Sequence, residues 1–290
     1  MAAMRICNLE KQYVADHNLA ALLDFPLAMG NRKLYSTSQI ASWFLFESIR
    51  APLICTALCL ALSQSFFKLR EQWIFTERMF FIAAATVVHS GIYVLVNGFF
   101  ALCKSQGWFD SYALERTDRM KNPPGLYKQT AIEALINHCI SQPLIMFFLH
   151  EHVASPSTSP LPSPLVVVQH MAMAKLFNSV FFYFTHRWLH TPFMYKRFHK
   201  QHHQYKGTIG VAAEYANPVE SLISNVFPTV GYCFIMRVHP LIFLVWLASR
   251  LVETYEAHSG YDFSSTLLGR CGLLHGHAAS WHDWHHSNNK

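Results

Sequence analysis

The sequence is short of charge. Asp, Glu, Lys and Arg make up 14% of its 290 residues, where a soluble domain carries roughly 25%. Beside 52% hydrophobic residues and 23 Phe, that deficit argues against an ordinary water-soluble protein and points to one embedded in a bilayer. No two of the seven cysteines form a C-x-x-C pair; Cys7, Cys55, Cys59, Cys103, Cys139, Cys233 and Cys271 are scattered, mostly through apolar runs. An odd, scattered set argues against a disulfide framework or a zinc ribbon. No apolar stretch follows the basic residue of the N-terminal MAAMRICNLEKQYVADHN, so targeting is expected to fall to the first spanning segment rather than to a cleaved signal peptide. Nucleic acid is not an expected partner either. The net charge is +6, but the Lys and Arg residues are dispersed between apolar segments, as in membrane loops.

What the chain does have is apolar segments. Residues 51–67 are uncharged and can be lengthened by the preceding WFLFESI; residues 79–103 carry no Asp, Glu, Lys or Arg over 25 positions. At about 1.5 Å per residue the latter readily spans a hydrocarbon core of about 30 Å. Residues 130–149, interrupted by Glu133 and Pro143, and 165–185, with Lys175 as its one full charge, continue the series. Residues 219–236 and 240–257 are separated only by Arg237-Val238-His239, which predicts a hairpin of helices that need not both cross. Residues 1–42 are mixed and polar and carry no motif. The expected fold class is all-α, a polytopic membrane helical bundle with a cytosolic histidine-rich metal-binding cap. Residues 1–128 read as an N-terminal region of two membrane helices and a connector, and 129–290 as a histidine-cluster catalytic domain.

Loops 104–128 and 187–218 are rich in Lys and Arg, while the Ser/Pro linker 150–164 has none. The positive-inside rule therefore makes the two basic loops cytosolic, the linker lumenal and the 237–239 turn deep or lumenal. Residues 258–290 then return to the cytosol. Loop 67–78, with Lys68, Arg70 and Arg78, fits poorly, since this scheme puts it on the lumenal side.

The topology gathers the histidines on one side. HRWLHTPFMYKRFHKQHH holds His186, His190, His199, His202 and His203, and a terminal HDWHH holds His282, His285 and His286. Positions i, i+3 and i+4 of a helix share a face, so each cluster can aim two or three imidazoles at one point. Neutral imidazole is the commonest nitrogen ligand of zinc and iron. His89, alone inside its apolar segment, reads as packing, and the HEH tract at His150 to His152 as an isolated surface feature. A zinc-protease H-E-x-x-H site is excluded because Arg187 stands where the general base is needed. Eight or nine histidines are too many for one zinc and suit two metals; all-nitrogen ligation fits iron better than magnesium or calcium.

The pattern H-x-x-x-H, H-x-x-H-H and H-x-x-H-H resembles the fatty acid hydroxylase/sterol desaturase superfamily of membrane di-iron oxygenases. HRWLHTPFMYKRFHKQHHQYKGTIGVAAEYANPVE and ETYEAHSGYDF resemble the 4-methylsterol monooxygenases, over about Leu135 to His286. The resemblance implies metal ligands at His186, His190, His199, His202, His203, His282, His285 and His286, with His258 of EAHSGYD as a ninth. Asp283, Glu214 and Glu220 are candidates to orient those ligands, and Phe181, Phe182, Tyr183 and Tyr255 are aromatics that either contact substrate or pack between helices. It also implies two Fe ions, O2, and NAD(P)H-derived electrons delivered by a separate electron-donor haem protein or reductase. The implied substrate is a sterol whose 4-methyl group is oxidised at the endoplasmic reticulum membrane; fatty acid hydroxylation or sterol desaturation is the nearest alternative, and a non-catalytic relative a further one. A metal transporter is disfavoured, because its ligands should lie at mid-span.

Three departures from the family pattern stand out. Asn178-Ser179 replaces an acidic pair, Asn217 stands where histidine is usual, and the sequence ends at Lys290, four residues after His286, where relatives continue into a tail. These put activity, rather than ancestry, in question.

Overall fold

The computed structural model describes residues 37–117, 120–270, 274 and 277–288. The N-terminal motif-free stretch up to residue 36, Cys7, Cys271 and the last two residues lie outside the described residues. Residues 48–290 form one compact unit, and its described elements are helical, as expected.

Among the described residues the long helices are α1 (Thr37–Glu71), α2 (Glu77–Gln106), α3 (Leu126–Val153), α4 (Pro164–Leu189), α5 (Pro218–Met236), α6 (Pro240–Ala257) and α7 (His277–Asn288). Local chemistry sets several ends. Thr76 caps α2 by accepting from the Met79 N–H at 3.3 Å, and Gly107 closes it in the left-handed region at φ 66°, where glycine pays no Cβ penalty. Proline opens α4, α5 and α6, where a missing N–H costs nothing. Asn217, the departure noted above, caps α5 by accepting from the Val219 N–H at 2.9 Å.

Five helices are long and apolar enough to cross a membrane: α1 from Ser48, then α2, α3, α4 and α5. They turn large apolar side chains outward, among them Val87, Leu95, Leu135, Phe148, Phe184 and Ile235. In water such a surface would be a liability, and in lipid it is the expected exterior. The chain is a multi-pass membrane protein. The α5–α6 hairpin forms across Arg237, which adopts φ 47°. Its second arm is the central element: Leu241 through Trp246 are buried consecutively, so α6 is covered all round and packs along α2, α4 and α7.

The two ends of the bundle are chemically distinct. At one end Ser155 N–H donates to Val238 O at 3.0 Å and Arg70 donates to Ser157 Oγ at 2.6 Å. The ill-fitting loop 67–78 thus sits with the Ser/Pro linker, as the topology scheme required. Its arginines are matched by carboxylates, Arg70 with Glu77 and Arg78 with Glu151. At the other end the connector after α2 meets the histidine region. Leu114 N–H donates to Gly260 O and Asp262 N–H to Tyr112 O, both at 2.8 Å.

Candidate metal centre

Nine imidazoles converge at that second end. They sort into two groups, each with its ligand nitrogens within 4.8 Å of one another: His186, His190, His199, His203 and His285 in the first, and His202, His258, His282 and His286 in the second. The sorting does not follow the sequence clusters. His186 and His190, His199 and His203, and His282 and His286 are i, i+4 pairs that share a face. The odd members, His202 and His285, point across to the opposite group. Each H-x-x-H-H run thus aims two imidazoles at one group, as the spacing predicts, and sends its third to the other. The groups abut, with the His203 and His286 rings stacked at 4.6 Å between centroids.

The nitrogens face one another. Nε2 of His285 lies 2.9 Å from that of His186 and 3.2 Å from that of His190. His199 Nε2 lies 3.0 Å from both His190 and His203. In the second group His282 Nε2 is 2.8 Å from His258 and 3.1 Å from His286. Imidazoles bound at about 2.1 Å to one cation place their nitrogens about 3 Å apart, so these spacings are those of ligands around a common metal.

Proton bookkeeping supports the same arrangement. A neutral imidazole carries one N–H. The Nδ1–H of His258 donates to Thr254 O at 2.8 Å, that of His286 to Tyr205 O at 2.9 Å, and that of His202 to Tyr215 O at 3.3 Å. Their Nε2 atoms are thereby left as lone pairs pointing at lone pairs, a repulsion that a cation removes. Holding the far nitrogen of a ligand imidazole on a carbonyl is how metal sites fix the tautomer. In the first group Glu220 Oε1 sits 2.8 Å from His199 Nδ1, close enough to pair although off the N–H axis.

The electrostatics agree. Burial, reinforced by the neighbouring imidazoles, pushes His199 down to about 2 and His258 down to about 3. Burial likewise takes His202 down to about 4, and His282 and His286 well below the ordinary histidine value. All are neutral, and so competent as ligands, at neutral pH.

Three turns of π-helix supply unusual register: Asn137–Ser141, Tyr195–His199 and Ser221–Val226. The second ends on His199 and the third begins directly after Glu220, so both partners of that contact depend on a wide turn.

The remaining candidates sit elsewhere. Asp283, fully buried, accepts from Thr208 N and Oγ1, both at 2.9 Å, and pairs with Arg116 at 2.6 Å, tying α7 to the loop above α6. Glu214 faces a third group with His89 and His138. Its Oε1 lies 3.0 Å from His89 Nε2, and the carboxylate accepts from Asn137 Nδ2 at 2.8 Å and from the Tyr255 hydroxyl. Burial pushes its carboxyl up, but the His138 and His89 imidazoles facing it outweigh that and hold it well below the usual carboxylate range. The reading of His89 as isolated packing is therefore corrected; a polar residue inside an uncharged span was the signal. Of the aromatics, Phe182 stacks on His186 at 5.2 Å, Phe181 packs against Phe177 and Phe227, and the Tyr183 hydroxyl receives Arg187 at 2.7 Å.

Comparison with known proteins follows the same lines. Residues 171–290 match the fatty acid hydroxylase family. The chain is 30% identical over 203 residues to a very-long-chain aldehyde decarbonylase of Oryza sativa, covering 69% of this chain and 74% of the relative. It is 32% identical over 193 residues to a putative methylsterol monooxygenase of Dictyostelium discoideum, covering 64% and 68%. With a methylsterol monooxygenase of Arabidopsis thaliana it shares 28% over 213 residues, covering 69% and 77%. No solved structure matches. The chain belongs to the fatty acid hydroxylase family.

Proposed function

We propose that the chain is a non-haem di-iron monooxygenase of the endoplasmic reticulum membrane that oxidises a methyl group of a 4-methylsterol. The observation that supports this best is the pair of facing imidazole groups, with Nδ1 atoms tied to carbonyls and Nε2 atoms turned to a common point. His186, His190, His199, His203 and His285 would hold one iron, and His202, His258, His282 and His286 the other. Nine nitrogen donors in two sets suit two transition ions, and iron over oxygen-preferring cations. When bound, the iron pair supplies the activation of O2 needed to attack an unactivated methyl group.

The protein's own part is placement and exclusion. Phe182 stacks on His186 one turn before it, and α4 leads from the apolar spans directly into that ligand. A sterol dissolved in the bilayer would approach the centre from these apolar spans. Burial keeps water from the reacting centre and keeps the imidazoles neutral. Electrons would come from NAD(P)H through a separate haem protein or reductase on the cytosolic side.

A second reading has a specific basis, the match to an aldehyde decarbonylase: the same centre would act on another lipid. Both are tested together. Protein purified in detergent should hold about two iron ions per chain and consume 4,4-dimethylsterol with O2, NAD(P)H and a reductase. His202→Ala should lower the iron content. Iron below that level and indifferent to the substitution defeats the di-iron reading. Turnover of a very-long-chain aldehyde without turnover of the sterol moves the activity to the second reading.

A further inference from the structure

We infer that His89, His138 and Glu214 form a third metal site, for one divalent transition cation of the zinc or ferrous kind, separate from the nine-imidazole centre. The three come from distant parts of the chain, α2, the π turn of α3 and the segment Gly210–Glu214, and their ligand atoms all lie within 4.8 Å of one another. The imidazole rings of His89 and His138 are 4.6 Å apart. Both are about nine-tenths buried, as is the carboxylate.

The carboxylate is dressed as a ligand. Tyr255 occupies a lone pair of Oε1, and Asn137 Nδ2 one of Oε2 at 2.8 Å. That leaves one lone pair on each oxygen, facing the imidazoles. Two neutral donors that fix a carboxylate while leaving one lone pair on each oxygen free are what a ligand needs from its surroundings. His138 is dressed in the same way. Its Nδ1 lies 3.1 Å from Ser90 Oγ, which can accept the Nδ1–H. Its Nε2 is 3.3 Å from Glu214 Oε2 but makes no aligned hydrogen bond and is buried. A buried Nε2 without a bonded proton partner, aimed at a carboxylate, is satisfied by a cation between them. Two imidazoles and a carboxylate are a common donor set for zinc and for non-haem iron.

The π turn also has a consistent role. It wraps Asn137 and His138 together, delivering one residue that anchors the carboxylate and one that ligates beside it. Such a site would clamp α2 and α3 to the segment preceding Tyr215, whose carbonyl holds His202.

The test is metal stoichiometry on the full-length protein in detergent, with iron and zinc counted by mass spectrometry. His89→Gln and His138→Gln keep a hydrogen-bond donor toward Glu214 but remove the imidazole. Each should carry about one equivalent less metal than wild type, and the double variant no less than either single one, as expected for a shared site. The comparison reads a difference, so it stands whatever number of ions the nine-imidazole centre holds. Variants with the wild-type metal complement would overturn the proposal and leave a hydrogen-bonded clamp. Should the variants fail to fold, anomalous scattering from the wild-type holoprotein at the zinc and iron edges decides. A peak among His89, His138 and Glu214 is expected, and its absence rejects the site.

Discussion

Glu220 and His199 meet at 2.8 Å, carboxylate oxygen to Nδ1, with both side chains buried. The contact turns the other nitrogen of His199 toward His190 and His203. Glu220→Ala should therefore leave the fold in place while loosening one metal, with a loss of about 10- to 100-fold in affinity, the usual cost of removing a ligand's orienting partner. Glu220→Gln, which keeps an oxygen beside Nδ1, should recover part of it. Metal titration of the three proteins checks this. Equal affinities would mean that the contact orients nothing.

The crossing of His202 and His203 to different groups makes a second prediction. His202→Ala should empty the group built on His258, His282 and His286, and His203→Ala the one built on His186, His190 and His285. Each single variant should retain about one equivalent of the two and the double variant neither. A single substitution that strips both metals would show one indivisible centre instead.

Much of this was legible in the sequence, and the limits have physical causes. The spans were readable because 79–103 is uninterrupted by charge, and α6 was separable because Arg237-Val238-His239 leaves no room for a loop. Eight of the nine converging imidazoles lie in the recognisable runs, and His258 in EAHSGYD. What could not be read was the sorting of adjacent histidines. A π turn precedes Lys200 and a 3₁₀ turn begins at His202, so helical periodicity no longer says which way a side chain points. Nor could His89 be joined to Glu214, 125 positions away. Only the packing of α2 against α6 and the Gly210–Glu214 segment brings them together.

Acidity should weaken the folded state in a defined window. His202 and His258 are held at about 4 and about 3 in the folded protein, against an ordinary value of about 6.5. Below about pH 6.5 the unfolded chain takes up protons that the native state refuses. Stability is thus fully present above that value and falls as pH drops toward about 4, and metal affinity falls with it, since protonated imidazole cannot ligate. Denaturation midpoints and metal content measured in detergent from about pH 8 to about pH 5 follow this directly. A midpoint that rises on acidification, or stays level, would contradict the burial of neutral imidazoles.

Asp283 sits one residue after His282 on α7, yet its oxygen is committed to Thr208 N–H, Thr208 Oγ1 and Arg116. It anchors the helix that supplies three imidazoles. Asp283→Ala strands a buried N–H and leaves Arg116 without this carboxylate. For a buried pair that costs on the order of 3 kcal/mol, toward the low end because Arg116 keeps about a third of its side chain in water. The expected outcome is a lower denaturation midpoint, faster amide exchange confined to α7 and its 207–208 contact, and partial loss of metal from both groups at once. Asp283→Asn, which keeps an acceptor but no charge, should fall between. Were Asp283→Ala to remove metal with no change in amide exchange along α7, the carboxylate would be acting on an imidazole directly rather than through the helix.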